Sequence, residues 1–251
     1  MMHRHGLWLI ALLSLFILTF AQAQDLMNDA EQSYLAGDYE EAVAHYQGLL
    51  AEGIDGGSVH YNLGNTYYQL GQRGRALVHY RRAETTLPRQ SDLQRQIMRV
   101  ERSRQGGIQV ERNWLIVLHD LSAEYLTVFE LGWIALLSWS GFFGLLAFGI
   151  GKRTWQLTLL ITGSLMLIIV GIFVIRLYVN DHLPLAVVTA DEITTRSGPG
   201  TQYLTIDSLY EANEVRILES RESWVRIVLP DQRQGWVQEA DVVRIDLLDA
   251  K

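Results

Sequence analysis

Two histidines, His45 and His79, stand 34 residues apart in this chain of 251. Imidazoles at a fixed spacing raise the question of a metal site, but such a site needs three or four ligands. No third ligand stands at a characteristic distance from either, so both are expected to be structural and no metal is expected. Asn28 and Asn62 share that 34-residue offset. With Glu31, Asn65 and Gln69 they form a set of side chains able to donate and accept hydrogen bonds. Two readings of this set stand side by side: a surface that binds a ligand, or amides that face solvent or bond one another. Tyr203, Trp224 and Trp236 make a third set, flat rings that can line a ligand groove. For Trp236 a packing role is the stronger expectation.

Other chemistry is missing. The chain has no cysteine, which removes disulfides, thiolate metal sites, thiol nucleophiles and a lipoprotein cysteine. It contains no Walker loop, G-x-G-x-x-G, H-E-x-x-H or G-x-S-x-G. Gly163-Ser164 lies inside an uncharged stretch where no water reaches a nucleophile. A non-catalytic protein without a cofactor is expected.

The elements that must position these residues begin with a repeat. Gly37 recurs as Gly71, Ala42 as Ala76, His45 as His79 and Tyr46 as Tyr80, each 34 residues on. A period of 34, with small residues at helix crossings and aromatics between helices, describes tetratricopeptide (TPR) repeats. Leu63, Gly64, Tyr67, Ala76, Tyr80, Ala83 and Pro88 of the second copy resemble that family's consensus. The first copy is clear from Gly37 to Tyr46. A following helix, 91–104, carries Leu93, Ile97 and Val100 on one face and reads as a cap. Residues 24–104 are therefore expected to form an all-α array. Two repeats and a cap fall short of a robust stack, which points to support from a partner, a second copy or the membrane. TPR proteins usually bind peptides along their first helices, and the resemblance places Asn28, Glu31, Asn62, Asn65 and Gln69 there. Met27 and Tyr61 stand where a carboxylate clamp has lysine, so a general peptide groove is the better expectation.

After Pro184 the pattern changes to alternation, with turn signals at Ser197-Gly198-Pro199-Gly200, Glu211-Ala212-Asn213 and Pro230-Asp231. Arg196-Ser197-Gly198-Pro199, the strand from Ser223 to Ile227, and Gly235-Trp236-Val237 resemble a bacterial SH3-like barrel over residues 184–246. Asn213 stands where that family commonly has glycine, in a turn that requires the left-handed conformation. Related domains are implicated in binding peptides or cell-wall fragments.

Three stretches carry no Asp, Glu, Lys or Arg: 6–24, 131–151 and 154–175. The first follows Arg4 and ends on Ala21-Gln22-Ala23, as a signal peptide over residues 1–23 does. An uncleaved anchor is the alternative. The other two have the length of a transmembrane helix, expected over 131–151 and 154–176. Lys152-Arg153 between them would stay cytoplasmic, exporting both flanking parts. Residues 105–130 mix apolar and charged positions and read as an amphipathic juxtamembrane segment. Charge falls in blocks: residues 73–112 carry a net +6, and residues 180–251 a net −6. Such blocks are usually solvated faces and less often docking surfaces.

In order, signal peptide, short TPR array, two-span hairpin and SH3-like domain resemble the BatE-type membrane proteins of bacterial aerotolerance operons. The resemblance implies an inner-membrane scaffold working with von Willebrand A-domain membrane proteins in an envelope or oxidative-stress complex. The partners expected are those proteins and membrane lipid, with peptidoglycan as a further candidate and no nucleic acid. A different reading is a membrane-anchored sensor that binds cell-wall material through its C-terminal domain.

Overall fold

The computed structural model describes residues 24–104, 114–149, 155–228 and 233–245. The expected signal peptide (1–23), residues 105–113 of the expected juxtamembrane segment, the Lys152-Arg153 link and the Pro230-Asp231 turn lie outside these residues.

The helical region consists of α1 (24–36), α2 (Tyr39–Ala51), α3 (Gly57–Gln69), α4 (Arg73–Thr86) and α5 (Ser91–Ser103). Its turns and crossings follow the repeat. Gly37 and Gly71 end α1 and α3 with φ of 87° and 77°, a conformation that costs any other residue about 1–2 kcal/mol. Ala42 and Ala76 are fully buried where helices cross, and Tyr46 and Tyr80 are buried between them. A Cβ on Gly64 would come within 2.6 Å of the Tyr80 ring, so the glycine is what lets α3 lie on α4. Leu93, Ile97 and Val100 close the far end from one face of α5.

α6 (Trp114–Tyr125), α7 (Val128–Gly149) and α8 (Gln156–His182) follow. α7 and α8 are packed against each other and are long and apolar enough to cross a membrane. At 27 residues α8 extends six beyond the expected boundary, a rod of about 40 Å. Phe173 lies against Gly132, and Phe142 against Gly163. Three small residues at helical spacing on α7 face away from this contact: Gly144 adjoins open space, and Ser140 and Ala147 are exposed. α6 packs on the last turns of α8: His119 meets Asn180 at 2.7 Å, and Arg176 donates to the carbonyls of Ser122 and Leu126.

The C-terminal part is an antiparallel sheet of seven strands in the order β3-β2-β6-β5-β4-β1-β7. They are β1 (Leu185–Val188), β2 (Glu192–Arg196), β3 (Thr205–Tyr210), β4 (Glu214–Arg221), β5 (Trp224–Val228), β6 (Gln234–Gln238) and β7 (Val242–Arg244). Alternation sorts its side chains. Ala186, Val188, Val215, Val225, Ile227 and Val237 pack into the sheet's own core. Val187, between two of these, points the other way into the helical core, together with Ala212, Val243 and Ile245.

That second face is the main departure from expectation. The support missing from a two-repeat array comes from the same chain, because β1 and β7 dock on α4. Gly74 permits it, since a Cβ there would stand 2.5 Å from the Val188 carbonyl. The Gly74 N–H donates to Glu211 Oε1 at 2.8 Å, so a carboxylate from the β3–β4 turn caps an α4 N-terminus that has no side-chain cap or acidic first turn of its own. Arg82 donates to the carbonyls of Arg244 and Ile245. A second correction concerns that turn. Its left-handed residue is Ala212, φ 63°, and not Asn213, whose side-chain oxygen instead accepts from the Tyr210 N–H.

Candidate functional site

Asn28, Glu31, Asn62, Asn65 and Gln69 lie on α1 and α3, and the tyrosines of α2 and α4 reach up between them. Asn65 Oδ1 accepts from the Tyr80 hydroxyl at 2.9 Å, and Asn62 hydrogen-bonds the Tyr46 hydroxyl. The two bonds are related by the repeat at one end only: Tyr46 and Tyr80 are 34 apart, whereas Asn62 and Asn65 sit one turn apart on a single helix. Burial, followed by the charge of Glu31, pushes the Tyr46 hydroxyl up to about 12. Burial likewise raises that of Tyr80, so both stay protonated. Gln69 Nε2 reaches the Tyr34 hydroxyl at 3.4 Å, and Asn28 accepts from Gln24. The structure thus brings Glu31, Asn62, Asn65 and Gln69 to one tyrosine-floored surface, with Asn28 at its edge. The amides of Asn62 and Asn65 are partly engaged in holding that floor.

Sequence reasoning overlooked the far wall of this surface. Arg99 of α5 stacks over the Tyr68 ring at 5.8 Å and lowers the Tyr80 hydroxyl pKa against its burial. Arg95, Arg99 and Arg102 stand at i, i+4 and i+7 and line an open depression of about 530 Å³ with Met98. The signal was present as the complement of the Leu93, Ile97 and Val100 face. The result is a surface with an acidic residue on α1, neutral amides and phenols in the middle, and guanidinium groups on α5. The docked sheet contacts α4 and leaves Asn28, Glu31, Gln69 and the three arginines exposed.

The aromatic set of the sheet is arranged differently. Trp236 is opposite Arg226 on β5 and Arg196 on β2, which puts its ring outside the sheet's core. It is only 8% exposed because the guanidinium groups of Arg221 and Arg226 lie over it, at 5.6 and 5.9 Å from the ring centroid. The packing role expected for Trp236 is therefore one under arginines. Trp224, opposite Arg221, is half-buried. Tyr203 folds over Gly198, in a loop that Arg196 ties down by donating to the Thr201 and Tyr203 carbonyls.

The two histidines of the repeat diverge. His45 is near Glu41 on the surface of α2. His79 is buried and meets a histidine that sequence periodicity did not single out, His60, with Nδ1 atoms 3.0 Å apart. His60 Nε2 in turn meets Asp55 at 2.8 Å, and Tyr67 stacks on His79. Burial, then the neighbouring His60, Arg82 and Arg75, holds His79 well below the usual imidazole range, so it is neutral. Among the described residues no three His, Asp or Glu side chains converge as metal ligands. No protein-family model matches this chain, and no curated protein matches it.

Proposed function

We propose that the chain is a non-catalytic adaptor whose helical region is a short TPR array and whose sheet is an SH3-like domain. The α7–α8 hairpin anchors both in a bacterial inner membrane, on its exported side. The observation that carries this reading is the position of the sheet: it covers the back of α4 and leaves the tyrosine-floored surface of α1, α3 and α5 open. Peptide backbones offer carbonyls and N–H groups that suit the part-exposed amides of Asn62 and Asn65, held by the buried Tyr46 and Tyr80, and the exposed amide of Gln69. The α5 arginines favour a segment carrying carboxylates on that side. The resemblance to BatE-type proteins names the partners to test first, von Willebrand A-domain membrane proteins of the same operon.

Pull-down of the tethered full-length chain tests the proposal. Recovery of those partners should fall at least about tenfold in Arg99→Glu, since a hydrogen-bonded charge contact is worth about 1.5–3 kcal/mol. Unchanged recovery in Arg99→Glu and Gln69→Ala together would remove the groove from the account. A point variant is preferable to deleting the repeats, because deletion would bare Val187, Val243 and Ile245.

The second reading, a cell-wall sensor, draws on the exposed Tyr203-Leu204 pair at the base of the β2–β3 loop. Co-sedimentation of the full-length chain with purified peptidoglycan, abolished by Leu204→Ser, is the result that would favour it.

A further inference from the structure

Where α6 meets the hairpin there is a cleft of about 350 Å³, lined almost wholly by apolar atoms, among them Leu118 and Leu121 of α6, Leu131 and Ile134 of α7, and Ile169 and Ile172 of α8. Its volume is in the range of small-molecule pockets, about 300–1,000 Å³. Ile169, Ile172 and Arg176 stand at i, i+3 and i+7, so one face of α8 carries the cleft wall and, directly beyond it, a guanidinium. Ser122 and Leu126, whose carbonyls accept from Arg176 Nη1 at 3.1 and 2.5 Å, border the same cleft.

Arg176 is a buried cation without a carboxylate. It is 4% exposed, its Nε has no hydrogen-bond partner, and it forms no ion pair among the described residues. Of the acids on the adjoining elements, Asp120 pairs with His119 and Arg216, Glu130 with Arg89 and Asp181 with His182, while Glu124 of α6 is exposed and forms no ion pair with Arg176. The two carbonyls at the end of α6 supply about half a negative charge. The remainder of the charge calls for an anion.

Depth selects which anion. A hydrocarbon core takes about 20 helical residues. Counted from Gln156, that length ends beside Arg176, at the polar edge of the hydrocarbon core and within a side chain's reach of lipid phosphates. We infer that the α6–α7–α8 cleft is a binding site for one anionic phospholipid, an acyl chain lying between Leu121, Ile134 and Ile172 and the phosphate meeting Arg176. The site rests on the reading of α7 and α8 as membrane spans and holds whatever partner the helical groove takes.

The test uses the full-length chain, first extracted from membranes with carbonate and then purified, delipidated and reconstituted. Brominated-acyl phosphatidylglycerol is titrated against brominated-acyl phosphatidylcholine, with quenching of tryptophan fluorescence and lipid adducts in native mass spectrometry as readouts. Wild type should retain one phosphatidylglycerol and prefer it by about fivefold, as one basic residue at a membrane surface allows. Arg176→Gln should lose the preference, Arg176→Lys should keep part of it, and Ile134→Trp should lose the retained lipid with Arg176 intact. Equal retention of the two lipids by wild type, or an undiminished preference in Arg176→Gln, overturns the site. A chain released by carbonate overturns the membrane reading and the site with it, whereas a chain that resists carbonate but shows no preference overturns the site alone.

Discussion

Glu222 holds φ at 53° in the two-residue link between β4 and β5, exposed and without a glycine's freedom. Glu222→Gly should therefore stabilise the chain by about 1 kcal/mol, read as a higher Tm in detergent. Ala212 shares the positive φ, yet its methyl is buried in the helical core, so the same change there gives up packing as it relieves strain. This is why the turn was legible in the sequence and its left-handed residue was not. Asparagine is the local choice for that conformation, but a contact from a distant helix selects alanine. His79 shows the same limit, since the repeat marked it and only tertiary packing supplied His60 and Asp55. Its lowered pKa has a definite sign. Above pH 6.5 the folded and unfolded forms are both neutral, and below it the unfolded chain takes up a proton that folded His79 refuses. Stability should thus fall as pH drops below about 6.5, by up to about 1.4 kcal/mol per unit. His79→Phe should flatten that slope in denaturant titrations at pH 5 and 7.

α4 is where the helical region and the sheet become one body. Arg81, 19% exposed in its side chain, holds Glu214 of β4 at 2.7 Å, Glu101 of α5 at 2.7 Å and Glu84 of its own helix at 2.9 Å. Burial opposes its charge, and Glu214 followed by Glu84 and Glu101 outweighs that, so the guanidinium stays ionised. Arg81→Ala leaves three carboxylates facing one another and should cost about 3 kcal/mol. Gly74→Val should loosen the docking of the sheet on α4, because the clash is with the backbone of β1. Hydrogen exchange would then rise in β1 and β7 while α3 and the β4–β5 hairpin stay protected. Periodicity disclosed the helices of the second repeat, the one-faced helix after it and the strand around Trp224–Ile227, since those are local patterns. It could not disclose a bond between Gly74 and Glu211, 137 positions apart. The one advance sign was charge: the basic block of 73–112 supplies Arg81 and Arg104, and the acidic block after 180 supplies Glu214.

At the scale of the molecule, α6, α7, α8, the sheet and the repeats meet at one end of the hairpin. Arg89 after α4 bonds Glu130 at the start of α7, and Arg216 of β4 joins Asp120 of α6 and the Leu183 carbonyl at the end of α8. Domains joined by such contacts share one side of whatever the hairpin crosses. The chain's lack of cysteine makes this directly measurable with single-cysteine variants in intact spheroplasts. Gln69→Cys in the groove and Leu204→Cys in the sheet should both react with a membrane-impermeant maleimide. Thr154→Cys, beside the Lys152-Arg153 pair, should react only after the membrane is permeabilised. Labelling of Gln69→Cys with protection of Leu204→Cys would place the two domains on opposite sides and contradict the docked, anchored adaptor.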